Sequence, residues 1–291
     1  MLVVGLTGDI GAGKTTLADF WERAGASVID ADAIVDEIWK QRILNETIRR
    51  RWGASVFSCG EEPDHSRIAS IVFNDEEEYQ WLARTIHPMV RSIMEGRILS
   101  LDGWVVAEIP LLFENGAPWW VDETVYLSAS LERRIQRNSG RKWAAGEMKR
   151  REKWLLPPKR KMELADYVLN NDKNIETLYK KAMDLGLLFR DMASCVTLST
   201  EWENESDARE YAGDLLQRNL VAFVQVLSAE KKETEMSAPS STRWRTEAVT
   251  VERFFREIMA LSGKKGKFAR CERIRRTDGM TRDWIREAHR Y

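Results

Sequence analysis

The sequence has little cysteine, and its cysteines lie far apart. Cys59, Cys195 and Cys271 are the three present in 291 residues, and they form no C-x-x-C pair. A disulfide framework or a thiolate metal site is therefore not expected. A reducing cytoplasm is the expected compartment.

Long apolar runs and an excess of either charge are also lacking. No stretch reaches the roughly eighteen apolar residues of a membrane span, and the opening apolar segment is too short for a signal peptide. The formal net charge is -1, so overall charge indicates neither a nucleic acid nor a membrane as partner. With 43% hydrophobic and 31% charged residues, the chain has the composition of a soluble globular protein. Its length suits two domains.

Short apolar segments alternate with helical patterns over the first two thirds of the chain. Strands are predicted at residues 2–7, 26–30, 103–110, 122–130 and 165–171, with helices between them. This alternation predicts an α/β fold with a doubly wound parallel sheet. The first helix is expected to close at Gly25. A strongly basic helical region is predicted over residues 130–155, ended by Pro157 and Pro158.

After about residue 192 the pattern starts again. The segments predict a strand at 194–202, a helix from its cap Ser206, strands at 221–229 and 241–251, and a helix at 251–263 before a last strand and helix. The stretch SAEKKETEMSAPSSTR is polar and contains proline, so a loop or hairpin tip is expected there. The order predicts a smaller α+β, ferredoxin-like domain at 193–291, after a first domain at 1–192.

The most specific motif follows the first predicted strand. GDIGAGKT satisfies G-x-x-x-x-G-K-[ST], in which glycines let backbone N–H groups form a nest for phosphate oxygens. Lys14 adds a mobile charge for the β- and γ-phosphates, and the Thr15 hydroxyl is a Mg²⁺ ligand. The nucleotide phosphates are predicted to bind Gly8, Asp9, Ile10, Gly11, Ala12, Gly13, Lys14, Thr15 and Thr16. Asp9 is unusual there, because a carboxylate repels polyphosphate; its side chain is expected to face solvent or to reach the metal.

A pair of aspartates follows the second predicted strand. Ligands of doubly wound sheets lie at the carboxyl ends of strands, so Asp30 or Asp32 is a candidate base for an attacking hydroxyl. The alternative is that one of them caps the next helix. Asp30 is the expected cap, which leaves Asp32 for the chemistry.

Several motifs, taken in order, resemble the dephospho-CoA kinase family. They are GLTGDIGAGKTT, VIDAD, IHP at 86–88, IPLLFE at 109–114 and ADYVLNN at 165–171. The resemblance covers residues 1–192. It implies a P-loop kinase with helical acceptor-binding and lid segments, which uses ATP and Mg²⁺ to phosphorylate the ribose 3′-hydroxyl of dephospho-CoA.

The resemblance also implies roles for individual residues. It assigns catalysis to Asp32, Lys14 and Arg137, a place near adenine to Asn171, and acceptor binding to Asp32, Arg67, His87, Pro110, Leu111, Leu112, Glu114 and Arg134. Structural alternatives stay open: His87 as a hydrogen-bonding group, the leucines as core, and the lid arginines as a solvated basic face. One departure lies at Trp154, about where the family usually carries a glutamine.

Residues 193–291 resemble, more weakly, the CutA family of ferredoxin-like trimers linked to divalent-ion tolerance. SDAREYAGDLLQRNLVAFV and IRRTDGMTRDWIREAHRY carry this resemblance. The family's cysteine is missing in the segment Ala222–Gln225, so no metal role is carried over. A packing domain, or a homo-oligomerisation domain, is the expected role.

The first domain has alternative functions. One is a P-loop kinase for another small metabolite, against which PLLFE and the D-A-D triplet argue. The other is a nucleotide-binding scaffold with a degenerate kinase site. Intact Lys14, Thr15 and Asp32 argue against the scaffold.

Overall fold

The computed structural model describes residues 1–58, 62–141, 146–229, 243–262, 266–274 and 276–289. The chain divides into two compact units, Val3–Met183, and Met1–Leu2 together with Asp184–Tyr291. The domain boundary after residue 192 stays a prediction. Within the described ranges, no helix combines the length and the hydropathy that a membrane span needs.

The unit Val3–Met183 is built on a parallel sheet. Its strands are β1 (Leu2–Gly8), β2 (Ser27–Asp30), β3 (Trp104–Glu108), β4 (Glu123–Ser128) and β5 (Tyr167–Asn170). Their order is β2-β3-β1-β4-β5, and β1/β4, β2/β3 and β4/β5 pair in parallel. Every residue of β1, β3 and β4 is buried, as expected of strands covered on both faces. The predicted α/β fold is confirmed.

Helices connect these strands. They are α1 (Lys14–Arg23), α2 (Ala31–Trp39), α3 (Arg42–Trp52), α4 (His65–Val72), α5 (Glu76–Leu99), α6 (Leu131–Asn138), α7 (Glu147–Glu152), α8 (Pro158–Leu164) and α9 (Ile175–Ala193). Asp30 caps α2, since its Oδ1 accepts a hydrogen bond from the Asp32 N–H at 2.8 Å, which confirms the cap prediction. Gly25, at φ 103°, follows α1 as predicted.

The basic region predicted to be helical over residues 130–155 contains more than one helix within its described residues. The helix α6 ends at Asn138 and passes into a 3₁₀ turn, and α7 begins only at Glu147. Pro158 begins α8 in addition to ending what precedes it, because a proline's fixed φ and missing N–H suit the first turn of a helix.

The second unit contains an antiparallel sheet. Its strands are β6 (Cys195–Trp202), β7 (Phe223–Ala229), β8 (Arg243–Val251) and β9 (Lys267–Arg273), with helices α10 (Glu205–Gln217), α11 (Phe255–Ser262) and α12 (Gly279–Ala288). The order β7-β8-β6-β9 and the β-α-β-β-α-β succession make it ferredoxin-like, as predicted. Its core packs Trp202 of β6 against Tyr211 of α10. The predicted hairpin tip falls largely on 230–242, outside the described residues.

Ser206 was predicted to cap α10, and this was wrong. Asn204 is the cap, and its Oδ1 accepts a hydrogen bond from the Asp207 N–H at 2.8 Å. Asparagine is as good a cap as serine, and the helix starts at Glu205, which puts Ser206 inside the first turn.

Candidate active site

The glycine-rich loop joins β1 to α1 and lies under α6. Gly8, Gly11 and Gly13 have φ values of 157°, 75° and 99°. A Cβ at Gly8 would stand 2.2 Å from the Leu127 carbonyl oxygen, and one at Gly11 would stand 2.0 Å from Asn138 Nδ2. The loop therefore needs glycine both for its backbone conformation and for the close approach of its neighbours. Thr16 lies in the first turn of α1, next to Thr15.

Lys14 lies over the loop that precedes it. Its Nζ donates to the carbonyl oxygens of Gly8 at 3.4 Å and Asp9 at 3.3 Å. Burial lowers the pKa of the ammonium, and the carboxylates of Glu108, Asp32 and Asp9 oppose that shift. A mobile cation is thus held where a nest of N–H groups would meet phosphate oxygens.

The Asp9 side chain does not face solvent. It is buried, and its carboxylate accepts hydrogen bonds from the Tyr126 hydroxyl and, at 3.3 Å, from the Ala129 N–H. Its own N–H donates to the Leu127 carbonyl at 3.1 Å. Asp9 therefore anchors the loop to β4 and to the residue just before the cap of α6. The solvent alternative was wrong, and the metal alternative stays a prediction.

Glu108 belongs to this site, and sequence reasoning missed it. It ends β3, is 5% exposed, and stands opposite Asp30 in the β2/β3 register. Thr15 Oγ1 donates to its Oε1 at 3.4 Å. Burial raises its pKa to about 7; Lys14 lowers it, and the carboxylates of Asp30 and Asp32 raise it further. An acidic residue at the carboxyl end of a buried strand was the signal that could have found it.

Thr15 and Glu108 together fit a small, hard cation. A hydroxyl and a carboxylate oxygen are the ligand types that Mg²⁺ prefers, beside the phosphates of a nucleotide. Over the described residues, no group of three or more His, Cys, Asp or Glu side chains is arranged to hold a metal ion. This donor set therefore suits a metal that keeps most of its ligands from phosphate and water.

Two of the three arginines of α6, Arg134 and Arg137, contact the phosphate loop. Arg137 donates to the carbonyl oxygens of Ala12 at 3.2 Å and Asn171 at 2.7 Å, and Asn171 Nδ2 donates to Ala12 at 2.7 Å. Arg134 is buried, donates to the Ile10 carbonyl at 3.4 Å, and pairs with Glu152. The structure thus puts Arg134 on the phosphate side, whereas the resemblance implied the acceptor side.

A cavity of about 470 Å³ opens beside the start of α2. Residues of α2, α5 and the segment after β3 line it, among them Asp32, Arg84, His87, Arg91, Pro110, Leu111, Leu112 and Trp120. The segment after β3 is tied to β1, because Ile109 N donates to Leu6 at 2.8 Å and Thr7 Oγ1 donates to Pro110 at 3.0 Å. Asp32, His87 and Pro110–Leu112 are therefore brought together, as the resemblance implied.

Burial controls the charge of His87. Burial lowers the pKa of the ring, and the positive charge of Arg91 lowers it further. A hydrogen bond with Asn115 opposes this shift. The imidazole is therefore neutral near pH 7 and can both donate and accept a hydrogen bond.

A second cavity, of about 240 Å³, adjoins the first. It shares Gln80, Ala83, His87, Leu111 and Asn115 with the larger one, and adds Tyr79, Glu114 and residues 154–157. Glu114 Oε1 lies 2.6 Å from the buried Lys161 Nζ and accepts the Leu156 N–H at 3.2 Å. Glu114 therefore holds the segment before α8 at the wall of this cavity.

Arg67 was predicted to bind the acceptor, and it stands apart from both cavities. It lies on α4, where its guanidinium donates to the Ser55 carbonyl and pairs with Asp64 at 3.0 Å. It lines neither cavity in the part of the chain that the structure describes. Its acceptor-binding role stays a prediction.

Comparisons with known proteins agree with this geometry. A family model described as dephospho-CoA kinase matches residues 2–177. A dephospho-CoA kinase of Shewanella oneidensis is 38% identical over 138 residues, which are 46% of this chain and 67% of that protein. The crystal structure of TT1252 from Thermus thermophilus is 30% identical with a TM-score of 0.56, and the match covers 64% of this chain and 96% of that one.

A solved structure from another family matches a further part of the chain. A CutA1 crystal structure from a psychrotrophic Shewanella is 17% identical with a TM-score of 0.28, covering 32% of this chain and 94% of that one. At that level the likeness supports no argument about ligand or assembly.

Proposed function

The chain belongs to the dephospho-CoA kinase family, and we propose that it transfers the γ-phosphoryl group of ATP to the ribose 3′-hydroxyl of dephospho-CoA, releasing CoA and ADP. One observation supports this most directly. Asp32 lines the acceptor cavity and also interacts electrostatically with Lys14 and Glu108 of the phosphate site. A carboxylate is therefore available where an acceptor hydroxyl and the terminal phosphate of ATP would meet.

The phosphates of ATP lie on residues 8–16 in this proposal. The loop N–H groups and the start of α1 receive the anionic oxygens, and Lys14 swings from the loop carbonyls onto the β- and γ-phosphates. Thr15, with Glu108 beside it, would hold Mg²⁺, which when bound neutralises charge on the phosphate oxygens. Asn171, whose Nδ2 donates to the Ala12 carbonyl, is proposed to lie near the adenine.

Asp32 is the proposed base. It follows the cap Asp30 in the first turn of α2, so its position is fixed by the helix start. There it orients the 3′-hydroxyl and accepts its proton as the new phosphate ester bond forms. Because phosphoryl transfer depends on positioning and charge stabilisation, this placement and the nearby Lys14 are the main contributions expected of the protein.

Arg137 is proposed to stabilise the moving phosphoryl group. Its guanidinium already donates to the loop carbonyl of Ala12, which puts it beside the proposed phosphate site. A planar guanidinium can donate two hydrogen bonds to such an anion. Arg134 supports the same loop through Ile10 and Glu152.

The larger cavity is proposed to receive dephospho-CoA. Its volume lies within the range of about 300–1,000 Å³ that small-molecule sites occupy. Apolar walls at Pro110–Leu112 suit the nucleoside, neutral His87 offers a hydrogen bond, and Arg84 and Arg91 supply positive charge for an anionic acceptor.

For the second unit we propose a packing or homo-oligomerisation role, as its ferredoxin-like sheet supports. Phe223, on the edge strand β7, is half exposed. Sedimentation equilibrium of the full chain would test for homo-oligomers. A monomer at all concentrations would contradict the oligomerisation role and leave the packing role.

The reaction is tested by incubating the full chain with ATP, Mg²⁺ and dephospho-CoA and following CoA and ADP by mass spectrometry. Asp32→Asn should lower kcat by about 10²- to 10⁴-fold, the usual contribution of a positioned base. Asp36→Asn, an exposed aspartate one turn further along α2, is the matched control and should keep wild-type activity. ATP binding without CoA formation by the wild type would contradict the proposal and point to another acceptor.

A further inference from the structure

The helix α6 starts on the segment that follows β5, and a carboxylate joins the two. Asp172 lies just beyond the end of β5, and its Oδ1 accepts a hydrogen bond from the Ser130 N–H at 2.6 Å. Ser130 is the cap of α6. In a capping box the third helical residue, a glutamate or glutamine, accepts this N–H, but here that residue is Arg133, which has only donors. Asp172 therefore supplies the acceptor that Arg133 cannot provide.

The Asp172 carboxylate is oriented by a close neighbour in the chain. Its Oδ2 accepts a hydrogen bond from Asn170 Nδ2 at 2.7 Å, and its backbone N–H donates to Asn170 Oδ1 at 3.1 Å. The bond from the Ser130 N–H lowers the pKa of Asp172 most, and the bond from Asn170 and the positive charge of Arg137 lower it further. The carboxylate is therefore ionised at neutral pH, and hydrogen bonds to ionised acceptors are about twice as strong as neutral ones.

The other end of α6 contacts the same segment. Arg137 donates through Nη2 to the Asn171 carbonyl at 2.7 Å, and through Nη1 to the Ala12 carbonyl of the phosphate loop at 3.2 Å. Ser130 precedes Arg137 by about two helical turns, so the two lie on one face of α6. The segment 170–172 therefore contacts α6 at its cap and again at Arg137, and the two contacts together fix where the guanidinium lies.

Asp172 lines neither cavity in the described ranges, and the hydrogen bonds of its side chain go to Ser130 and Asn170. We propose that Asp172 is a positioning residue for phosphoryl transfer, which fixes the start of α6 so that Arg137 reaches the moving phosphoryl group. This inference rests on the proposed function, because charge stabilisation by Arg137 is part of it. A misplacement of about 1 Å far from the chemistry can cost roughly 10²-fold in rate, so an anchor two turns away can control catalysis.

Asp172→Ala removes the anchor, and Asp172→Asn keeps an oxygen for the Ser130 N–H. We expect kcat of Asp172→Ala to fall about 10- to 100-fold with both KM values unchanged, because an interaction made only in the transition state is lost. Asp172→Asn should recover most of this loss. Asn174→Ala is the matched control, since it removes two hydrogen bonds to Thr177 at the start of α9, which carries none of the proposed site residues. It should lower the urea midpoint of unfolding and leave kcat at wild type.

A double variant with Arg137→Ala tests whether Asp172 acts through that arginine. In this background Asp172→Ala should cause no further loss of kcat, because the group that it positions is already gone. Multiplicative losses would overturn the inference, since Asp172 would then act by another route. Wild-type kcat in Asp172→Ala would overturn it too, as would a higher KM for ATP at unchanged kcat, which would assign Asp172 to nucleotide binding.

Two further measurements separate these outcomes from other failures. Urea unfolding of each variant establishes that it is folded. If Asp172→Ala does not fold, Asp172→Glu takes its place, because the added methylene displaces the carboxylate from the Ser130 N–H and keeps the charge. The same loss of kcat is then expected, and wild-type kcat would overturn the inference. Absence of CoA formation by the wild type, or wild-type kcat in Arg137→Ala, would instead contradict the proposed function.

Discussion

The buried pair of Asp9 and Tyr126 makes a sharp test of how the phosphate loop is held. Asp9 carries two hydrogen bonds, from the Tyr126 hydroxyl and the Ala129 N–H. Asp9→Ala leaves both donors buried without a partner, which costs about 1–3 kcal/mol for each donor. The free energy of unfolding is therefore expected to fall by roughly 2–6 kcal/mol. For a unit of this size, each kcal/mol lowers Tm by about 2–4 °C.

A double-mutant cycle with Tyr126→Phe isolates the pair. Hydrogen bonds to charged groups contribute about 1.5–3 kcal/mol, so a coupling energy in that range is expected. The double variant should therefore be less destabilised than the sum of the single variants. Asp19→Ala, an exposed aspartate of α1, is the matched control and should change stability by less than about 0.5 kcal/mol.

Urea unfolding of the full chain, with and without ATP and Mg²⁺, supplies the measurement. Binding of ATP and Mg²⁺ raises the urea midpoint of the unit that binds them, so the shifted transition is assigned to the unit Val3–Met183. The KM for ATP should also rise in Asp9→Ala, because the loop loses its anchor on β4. Additive effects of the two substitutions within about 0.5 kcal/mol would refute the reasoning.

Two further predictions concern buried charges. In the folded state the pKa of Glu108 is about 7, against an ordinary value of 4.5, so the native state holds a proton that the unfolded state releases between those pH values. The free energy of unfolding should therefore fall by about 3 kcal/mol as pH rises through that window. Urea unfolding at pH 5 and pH 8 should show this fall in the wild type and not in Glu108→Gln. The same change in unfolding free energy in both proteins would contradict the prediction. Lys161→Ala should destabilise by about 3–5 kcal/mol, because Glu114 keeps a buried charge without its cation. Adding Glu114→Leu should recover most of this loss in thermal unfolding, and no recovery would count against a buried ion pair.

Features set by neighbouring residues could be predicted from the sequence. The phosphate loop, the capping Asp30 and the parallel sheet follow from local patterns, because glycine freedom, cap chemistry and burial depend on a few adjacent positions. Local reasoning failed where similar residues compete. Asn204 and Ser206 are both good caps, and only the structure shows which one lies just before the first turn.

The sequence by itself thus determined the site for nucleotide phosphates, since a strand, a glycine loop and Lys14 are contiguous. Only the tertiary structure decided which distant groups complete the site. Glu108 bonds to Thr15 across 93 residues, and Tyr126 bonds to Asp9 across 117. No local pattern encodes those pairings, because they depend on which strands lie side by side in the sheet, and the order β2-β3-β1-β4-β5 sets that. The strand order also explains why the Asp9 carboxylate faces Tyr126 of β4.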